Sequence, residues 1–429
     1  MKIGAASAEI TPRLGLVMEG YEARPGGASG IHDPLMVRVL VAEGHEAAVA
    51  LIVADLIQMD EPLQTLVAHE VQRRTGIPRN RIQLAGTHTH SGPMLREPSD
   101  IVDRIGLTIG ETVERAWLGR RDAVAAIGVG HIEGVGANRR PNGGPLDDRV
   151  TVTRFDGVDG SPIATHVNYG CHPTTLGPNN TLYSADYPGA ACLAIEAAVS
   201  GTAIFTTGPQ GDVNPGGYSP EGSMVGVVVP WRTFESAERY GRIVADCAVA
   251  TRATLTPAPS DRVGGEARLL ELDRKALPDA ASARAAALLA AAAEAGVRAA
   301  DLSSDATYHA AVAAAYADLI AGQAEDPERD GPVSVRVSAL ALGPLLHLGV
   351  QGELFVALGQ RIRSAVGDDG TCIAALCDGT IGYIPTADAY DIGGYEPNAS
   401  VLRPGQGERL ADELIDLARG VLNADSHAR

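Results

Sequence analysis

Two histidines two residues apart, His88 and His90, are the sharpest chemical signal in this sequence. They follow a short apolar segment that predicts a strand, and they lie in a loop that contains Gly, Ser and Pro. On an extended backbone alternate side chains share a face, so the spacing predicts that both imidazoles point the same way. Two charged imidazoles would repel each other, so we expect a site that keeps them neutral. Neutral imidazole is the commonest metal ligand, which favours a metal site over two histidines that merely cap a strand.

The H-x-H pattern leaves the fold open, because several classes of hydrolase use it. Metallo-β-lactamase-like hydrolases continue it as H-x-H-x-D-H, whereas Ser91-Gly92-Pro93 follows here. TIM-barrel amidohydrolases usually place it on their first strand, whereas two or three predicted strands precede it here. Both alternatives are therefore disfavoured.

Two further loops with reactive residue types follow predicted strands. His172 precedes Pro173, and the proline holds this histidine extended at the end of its strand. The loop at 208–217 has four Gly, two Pro and one Asp. Such a loop can bring backbone N–H groups close to a substrate, as an oxyanion hole does, although a conventional turn fits its sequence equally well. It is not a Walker loop, because no Lys-Ser/Thr pair follows.

The elements predicted around these loops are those of an α/β protein with a mixed sheet in a layered catalytic domain. Three apolar strands end in loops rich in Gly, Pro, His and Asp, at 86–93, 170–178 and 208–217. Catalytic groups of layered α/β proteins lie at such strand ends, so we expect one site built from these loops. The predicted strands are 36–43, 47–56, 81–86, 123–135, 150–155, 163–168, 203–207, 262–273 and 333–342, and the predicted helices are 62–74, 100–120, 187–199 and 408–422.

An alanine-rich stretch differs in composition from the rest of the chain. Ala280–Ala293 and Thr307–Ala321 predict two helices that form a helical hairpin. We interpret the hairpin, residues 276–330, as an insertion in a single catalytic domain that spans residues 1–429. A surface ornament or an oligomer contact is favoured over a substrate lid.

Composition and charge narrow the choice of partner. Acidic residues outnumber basic ones 53 to 35, and the formal net charge is −18. That charge would repel a phosphate backbone or an anionic membrane surface, so nucleic-acid binding and membrane docking are disfavoured. Five cysteines, an odd number, disfavour a disulfide framework. Without a signal-peptide pattern or a long apolar run, we expect a cytoplasmic protein that acts on a small molecule, with homo-oligomerisation left open.

Five motifs follow one another along the chain: GTHTHSGP (86–93), CHPTTLG (171–177), QGDVNP (210–215), QGELFVALGQRIR (351–363) and GYIPTADAY…GGYEP (382–397). In their order and approximate spacing they resemble the neutral/alkaline ceramidase family of zinc-dependent amide hydrolases. The opening GAASAEITP and the stretch GIHDPLMVRVLV resemble that family too, so the resemblance covers essentially the whole chain. It extends only to the catalytic part of the family, and we expect no C-terminal immunoglobulin-like domain.

The resemblance implies one zinc ion held by two His, one Glu and one Tyr. Matched motif by motif, these ligands are His88, His172, Glu353 and Tyr383. Nitrogen and oxygen ligands with one position left for water are typical of catalytic rather than structural zinc. Glu353 and Tyr383 follow from the resemblance alone, because nothing in their spacing distinguishes them from ordinary helix or strand residues.

The resemblance also implies residues that handle the substrate beside the zinc. These are His90, Arg139 (with Arg140 as its alternative) in a stretch that resembles the family's N-R-S, and Tyr395 in GGYEP. Zinc would lower the pKa of a bound water and polarise the amide carbonyl. The three side chains would stabilise the oxyanion or protonate the leaving amine.

One candidate catalytic residue, Asn214, departs from the family pattern, which has Ser after G-D-V. Asparagine forms hydrogen bonds but cannot serve as a nucleophile, so either zinc and water suffice or the substrate contacts differ. The expected function is therefore zinc-dependent hydrolysis of a small soluble amide or lactam. A true ceramidase, a zinc carboxylesterase or lactonase, and a non-catalytic metal-binding protein are the alternatives.

Overall fold

The computed structural model describes residues 1–218, 220–276, 305–325, 331–367 and 369–424. Strands in them are β1 (Lys2–Glu9), β2 (Gly30–Ile31), β3 (Met36–Glu43), β4 (Ala48–Ala54), β5 (Ile82–Gly86), β6 (Arg121–His131), β7 (Gly136–Asn138), β8 (Arg149–Gly157), β9 (Pro162–Tyr169), β10 (Leu182–Tyr183), β11 (Thr202–Thr207), β12 (Val213–Pro215), β13 (Ala258–Pro259), β14 (Val263–Leu272), β15 (Val333–Leu342), β16 (Leu345–Val350), β17 (Glu353–Leu354), β18 (Thr371–Ala374) and β19 (Tyr383–Ile384). Helices are α1 (Glu61–Thr75), α2 (Asp100–Leu118), α3 (Asp186–Val199), α4 (Pro220–Met224), α5 (Phe234–Thr254), α6 (Asp305–Glu325), α7 (Val356–Val366), α8 (Ala389–Ile392), α9 (Tyr395–Ala399) and α10 (Gln406–Ala424).

The largest sheet has nine strands in the order β11-β9-β8-β6-β1-β3-β4-β5, with β13 on β6. It is mixed, because β3 and β4 form an antiparallel hairpin whereas β4–β5 and β9–β11 are parallel pairs. A second sheet has the order β14-β15-β16-β18. The loops at 86–93, 170–178 and 208–217 begin where β5, β9 and β11 end, as predicted. The expectation of a mixed-sheet α/β fold is therefore confirmed.

Successive side chains of β3 are buried in two different core clusters, so both faces of the large sheet are covered and the fold has four layers. On β3, Val37, Val39 and Val41 pack with α1 and α2 in one core cluster. Leu40 and Ala42 face the other way, in a cluster with residues of the second sheet. The outer face of that sheet packs against α7 and α10. The two sheets therefore lie face to face between layers of helices. Because both faces of each sheet are buried, a slip of one residue would move apolar side chains to the wrong face, and this fixes the register of the strands.

Local sequence signals set the ends of α1, α2 and α5. Pro62 lies in the first turn of α1, and Gly76 ends it with a φ of 76°, a conformation that favours glycine. Ser99 caps α2 by accepting a hydrogen bond from Val102 N, and Thr233 caps α5 in the same manner. These signals explain why the predicted boundaries 62–74 and 100–120 agree closely with α1 and α2, whereas α5 was not predicted.

The alanine-rich stretch is described only in part. The predicted helix at 280–293 lies outside the described residues, whereas the one at 307–321 is α6. The hairpin, its extent of 276–330 and the single-domain organisation of residues 1–429 stay predictions. α6 contacts α4 and α9, and the choice between a surface ornament, an oligomer contact and a substrate lid stays a prediction.

Among the described residues, no helix is both long and apolar enough to cross a membrane.

Candidate metal centre and active site

His88 lies just beyond β5, at a backbone turn that aims its ring into the site. Its φ is 70°, in the left-handed region that is strained for a residue other than glycine. The extended backbone expected for H-x-H is therefore wrong, although the two rings do meet. Their Nε2 atoms lie 3.3 Å apart. His88 Nδ1 donates to Ile57 O at 2.9 Å, and because a carbonyl oxygen only accepts, the Nε2 of the neutral ring keeps its lone pair.

The same pattern of hydrogen bonds orients the other two histidines. His172 Nδ1 donates to Val213 O at 2.8 Å, and His90 Nδ1 donates to Gly20 O at 3.1 Å. Burial and then Arg139 lower the pKa of His172 to about 4. Burial and then His88 lower the pKa of His90 well below its usual value. Both rings are thus neutral at pH 7, with Nε2 lone pairs available.

Glu353 reaches the histidines from the second half of the chain. It begins β17, which pairs in parallel with β19 so that Glu353 lies beside Tyr383. Glu353 N donates to Gly382 O at 2.9 Å, which holds the two short strands together. Residues paired in a parallel ladder present their side chains on the same face. The pairing therefore brings together two candidate ligands whose relation cannot be read from their sequence separation.

The donor atoms of His88, His172 and Glu353 converge within 4.8 Å of one another. Glu353 Oε2 lies 2.8 Å from His172 Nε2 and 3.6 Å from His88 Nε2. Two imidazole lone pairs and a carboxylate oxygen at these distances repel one another unless a cation lies among them. Two imidazole nitrogens and a carboxylate are a donor set typical of divalent metal ions. The residues present therefore fit a metal ion.

Arg139 contacts the candidate ligand Tyr383 and the loop at 208–217. Its Nη2 lies 3.1 Å from Tyr383 Oη and 3.0 Å from Gly211 O, and its Nε donates to Glu396 Oε1 at 2.7 Å. Burial opposes its charge, but Tyr383 and then Glu396 raise the pKa of Arg139 well above its usual value. Arg139 is therefore a fixed positive charge beside Tyr383.

Arg140, the alternative to Arg139, points away from the donor set. Its guanidinium donates to Glu396 Oε2 at 2.6 Å and to the carbonyls of Ala389 and Gly393 at 3.2 and 2.6 Å. These contacts join α8 and α9 to the segment that follows β7. Of the two arginines, Arg139 is the one whose side chain contacts a candidate ligand.

Tyr395 begins α9 and lies next to Tyr383. The two ring centroids are 5.4 Å apart, with the rings nearly perpendicular. Burial and then Glu353 raise the pKa of Tyr395 to about 12, so its hydroxyl stays protonated at neutral pH. The hydroxyl can therefore donate a hydrogen bond but cannot act as a base.

The loop at 208–217 holds two residues of the candidate site in place. The carbonyls of Gly211 and Val213 accept from Arg139 and His172, respectively. Four backbone N–H groups of the loop already donate to protein carbonyls, so the predicted oxyanion hole cannot be formed by these four. The pairs are Gly208 N to Tyr169 O, Gly211 N to Leu354 O, Val213 N to Gln210 O, and Gly216 N to Val135 O.

Asn214 is fully buried in β12, next to the residue that binds His172. Its Nδ2 donates to Tyr218 O at 2.6 Å. Among the described residues, its Oδ1 has no hydrogen-bond partner. An unpaired buried carbonyl oxygen is costly, and it can accept from a group that the described residues do not provide.

Sequence reasoning missed the segment that cradles His90. Arg24 Nη2 donates to His90 O at 2.5 Å, and the ring of Tyr21 lies 5.0 Å from that of His90. Gly20 accepts from His90 Nδ1, as described above. No motif marks this segment, although Gly20, with a φ of 107°, is the kind of residue a tight approach requires. Glu396, which holds both arginines, was within reach of sequence reasoning because it follows Tyr395 directly.

The fold and the site together define a mixed α/β protein with a candidate metal centre at its strand ends. No protein-family model matches the chain. It is 26% identical to neutral ceramidase 2 of Arabidopsis thaliana over 223 residues, which are 45% of this chain and 30% of that protein. It is 24% identical to the neutral ceramidase of Drosophila melanogaster over 263 residues, 52% of this chain and 37% of that protein. The chain thus matches about a third of the length of these curated relatives.

Solved structures agree in fold over a longer stretch. The crystal structure of the neutral ceramidase from Pseudomonas aeruginosa superimposes with a TM-score of 0.73 at 19% identity, covering 97% of this chain and 74% of that one. A ceramidase complexed with C2 gives the same TM-score at 17% identity. These comparisons confirm the resemblance to the neutral ceramidase family, in sequence over about half of the chain and in fold over nearly all of it.

Proposed function

We propose that this chain is a zinc-dependent hydrolase that cleaves a C–N amide bond with an activated water molecule. The convergence of His88 Nε2, His172 Nε2 and Glu353 Oε2 is the observation that carries the proposal. Tyr383, beside Glu353 in the paired strands, is the proposed fourth ligand. When bound, zinc supplies a lowered water pKa and polarisation of the amide carbonyl.

His90, Tyr395 and Arg139 transfer protons and stabilise the charge that develops during the reaction. Neutral His90 keeps a lone pair on Nε2, so it accepts the proton of the attacking water and returns it to the departing amine nitrogen when the C–N bond breaks. Tyr395, which stays protonated, donates a hydrogen bond to the carbonyl oxygen as that atom gains charge. Arg139 adds a fixed positive charge near the same oxygen and positions Tyr383.

We propose a small soluble amide or lactam as the substrate, with ceramide as the competing outcome. Asn214 replaces the serine of the family pattern, and its buried Oδ1 can accept a hydrogen bond from a substrate N–H or O–H group. The net charge of −18 disfavours docking on an anionic lipid surface, where a membrane lipid would be met. The cytoplasmic location and any homo-oligomer stay predictions.

A substrate panel tests the proposal. Purified zinc-loaded protein is assayed against short N-acyl amides, lactams, the matching esters, and a fluorogenic N-acylsphingosine in detergent. We expect turnover of soluble amides or lactams, and its loss in His88→Ala. Turnover of the ceramide analogue alone would overturn the substrate class but keep the reaction. Turnover of esters alone would favour a carboxylesterase or lactonase, and no turnover at all would favour a non-catalytic metal-binding protein.

A further inference from the structure

An aromatic side chain of α6, Tyr316, lies next to Tyr395 of the candidate active site. The ring centroid of Tyr316 is 6.5 Å from that of Tyr395, which is in turn 5.4 Å from that of Tyr383. We refer to Tyr383, Tyr395 and Tyr316 as the tyrosine row. Tyr383 is buried, whereas Tyr395 and Tyr316 are half-buried, so the row runs from the donor set towards the surface.

Two groups of contacts fix Tyr316 and α6 in this position. The Tyr316 hydroxyl donates to Glu221 Oε1 of α4 at 2.9 Å. Burial and then Glu221 raise the pKa of Tyr316, so the hydroxyl stays a donor. Further along α6, Gln323 Nε2 donates to the carbonyls of Asn398 and Ala399 in α9 at 3.1 and 2.9 Å. α6 therefore spans α4 and α9, and α9 is the helix that begins with Tyr395.

Packing of α6 alone does not require a tyrosine at 316. Ala317, the neighbouring residue, is fully buried and supplies an apolar contact. Tyr316 instead directs a large ring at Tyr395 and ties its hydroxyl to a carboxylate, which fixes one rotamer of a long side chain. Aromatic rings at such centroid distances favour definite relative orientations, so Tyr316 restricts where the Tyr395 ring can lie.

We propose that Tyr316 determines specificity by closing the outer side of the site beyond Tyr395 and limiting the length of the substrate chain accepted there. This inference rests on the proposed amide hydrolase function, whose site it deepens. With the ring in place, a long acyl chain meets the phenol ring and α6, whereas a short one fits between Tyr395 and the donor set. In a variant without the ring, the space that the ring occupies becomes available to a longer chain.

Kinetics on two amides of one amine, an acetyl and a dodecanoyl amide, test the inference. Tyr316→Ala should raise the ratio of kcat/KM for the long over the short amide by about tenfold or more, the scale at which pocket size discriminates. Tyr316→Phe, which keeps the ring, should leave the ratio near that of the unmodified protein. Asp318→Asn, at an exposed position of the same helix, is the matched control. An equal change for both amides in Tyr316→Ala would overturn the inference.

A binding measurement separates failure of this inference from failure of the proposed function. Acetate, hexanoate and dodecanoate are titrated calorimetrically into zinc-loaded protein and each variant, with no turnover required. Tyr316→Ala should bind dodecanoate more tightly while its acetate affinity is unchanged. If no amide is hydrolysed but this length dependence appears, the proposed function fails and the specificity role holds. Tyr316→Leu keeps an apolar side chain and replaces the alanine variant if that variant does not fold.

Discussion

A methyl group added at Gly20 is expected to disable His90 without touching the metal ligands. A Cβ at Gly20 would lie 2.5 Å from His90 Nδ1, 2.6 Å from Cγ and 2.7 Å from Cβ. Gly20 O also accepts the hydrogen bond from Nδ1 that leaves the Nε2 lone pair free. The segment cannot simply retreat, because Glu19 N donates to Gly92 O and Arg24 ties the segment to His90 O. The ring of His90 must therefore move.

The expected loss of activity follows from the size of that movement. Non-bonded carbon and nitrogen atoms pack at about 3.5 Å, so the ring is displaced by about 1 Å. A misplacement of about 1 Å in a catalytic group can cost about 10²-fold in rate. We therefore expect kcat/KM of Gly20→Ala to fall about 100-fold, which corresponds to about 2.7 kcal/mol of lost transition-state stabilisation.

Gly26→Ala is the matched control for this variant. Gly26 also has a positive φ, 75°, but a Cβ there meets nothing within 4 Å. Both variants therefore carry backbone strain of about 1–3 kcal/mol, and only Gly20→Ala adds the clash. Steady-state kinetics, zinc content and thermal melting are measured on both. Near-normal activity in Gly20→Ala would refute the reasoning, and loss of zinc in it would place His90 among the ligands.

Three further predictions follow from the same geometry. Arg139→Lys should lower kcat with zinc retained, whereas Arg140→Lys should mainly lower Tm; equal kinetic losses would contradict the division between them. Tyr395→Phe should keep zinc yet lose about 10²–10³-fold in kcat, and unchanged kinetics would exclude its hydroxyl as the donor. Burial lowers the pKa of His347 to about 3 in the folded protein. Below the ordinary pKa of 6.5 the unfolded chain therefore binds a proton that the folded protein does not, and the free energy of unfolding falls by about 2 kcal/mol at pH 5. The free energy of unfolding, measured with denaturant, should therefore decrease less between pH 7 and pH 5 in His347→Gln than in the unmodified protein. An identical decrease would contradict the assignment, and the exposed His69→Gln is the control.

Much of the fold can be predicted from the sequence because its signals are local. The helix at 62–74 has proline in its first turn and Gly76 at its end, and the structure places α1 there. The strands at 36–43 and 47–56 are β-branched runs around a short connection, and they form the β3–β4 hairpin. Because three strands end in loops of unusual composition, the region of the site could be inferred as well.

The details of the site depend on contacts that no local pattern encodes. Glu353 and Tyr383 meet through two-residue strands, which are too short to show periodicity, so only family resemblance pointed to them. The H-x-H spacing predicted an extended backbone, but the positive φ of His88 shows that this residue is not extended. The two imidazole rings nevertheless lie side by side. The composition of α6 fits any exposed helix and therefore does not predict that it lies beside Tyr395. Among the described residues, the aromatic contact between α6 and α9 is that of Tyr316 with Tyr395.

Zinc content is the most direct test of the central claim that the converging side chains form a catalytic metal centre. Elemental analysis is applied to the purified protein, to His88→Ala and His172→Ala, and to His69→Ala as an exposed-histidine control. The account predicts about one zinc per chain in the unmodified protein and in the control, and loss of zinc in both ligand variants. Full zinc stoichiometry retained in both His88→Ala and His172→Ala would contradict it.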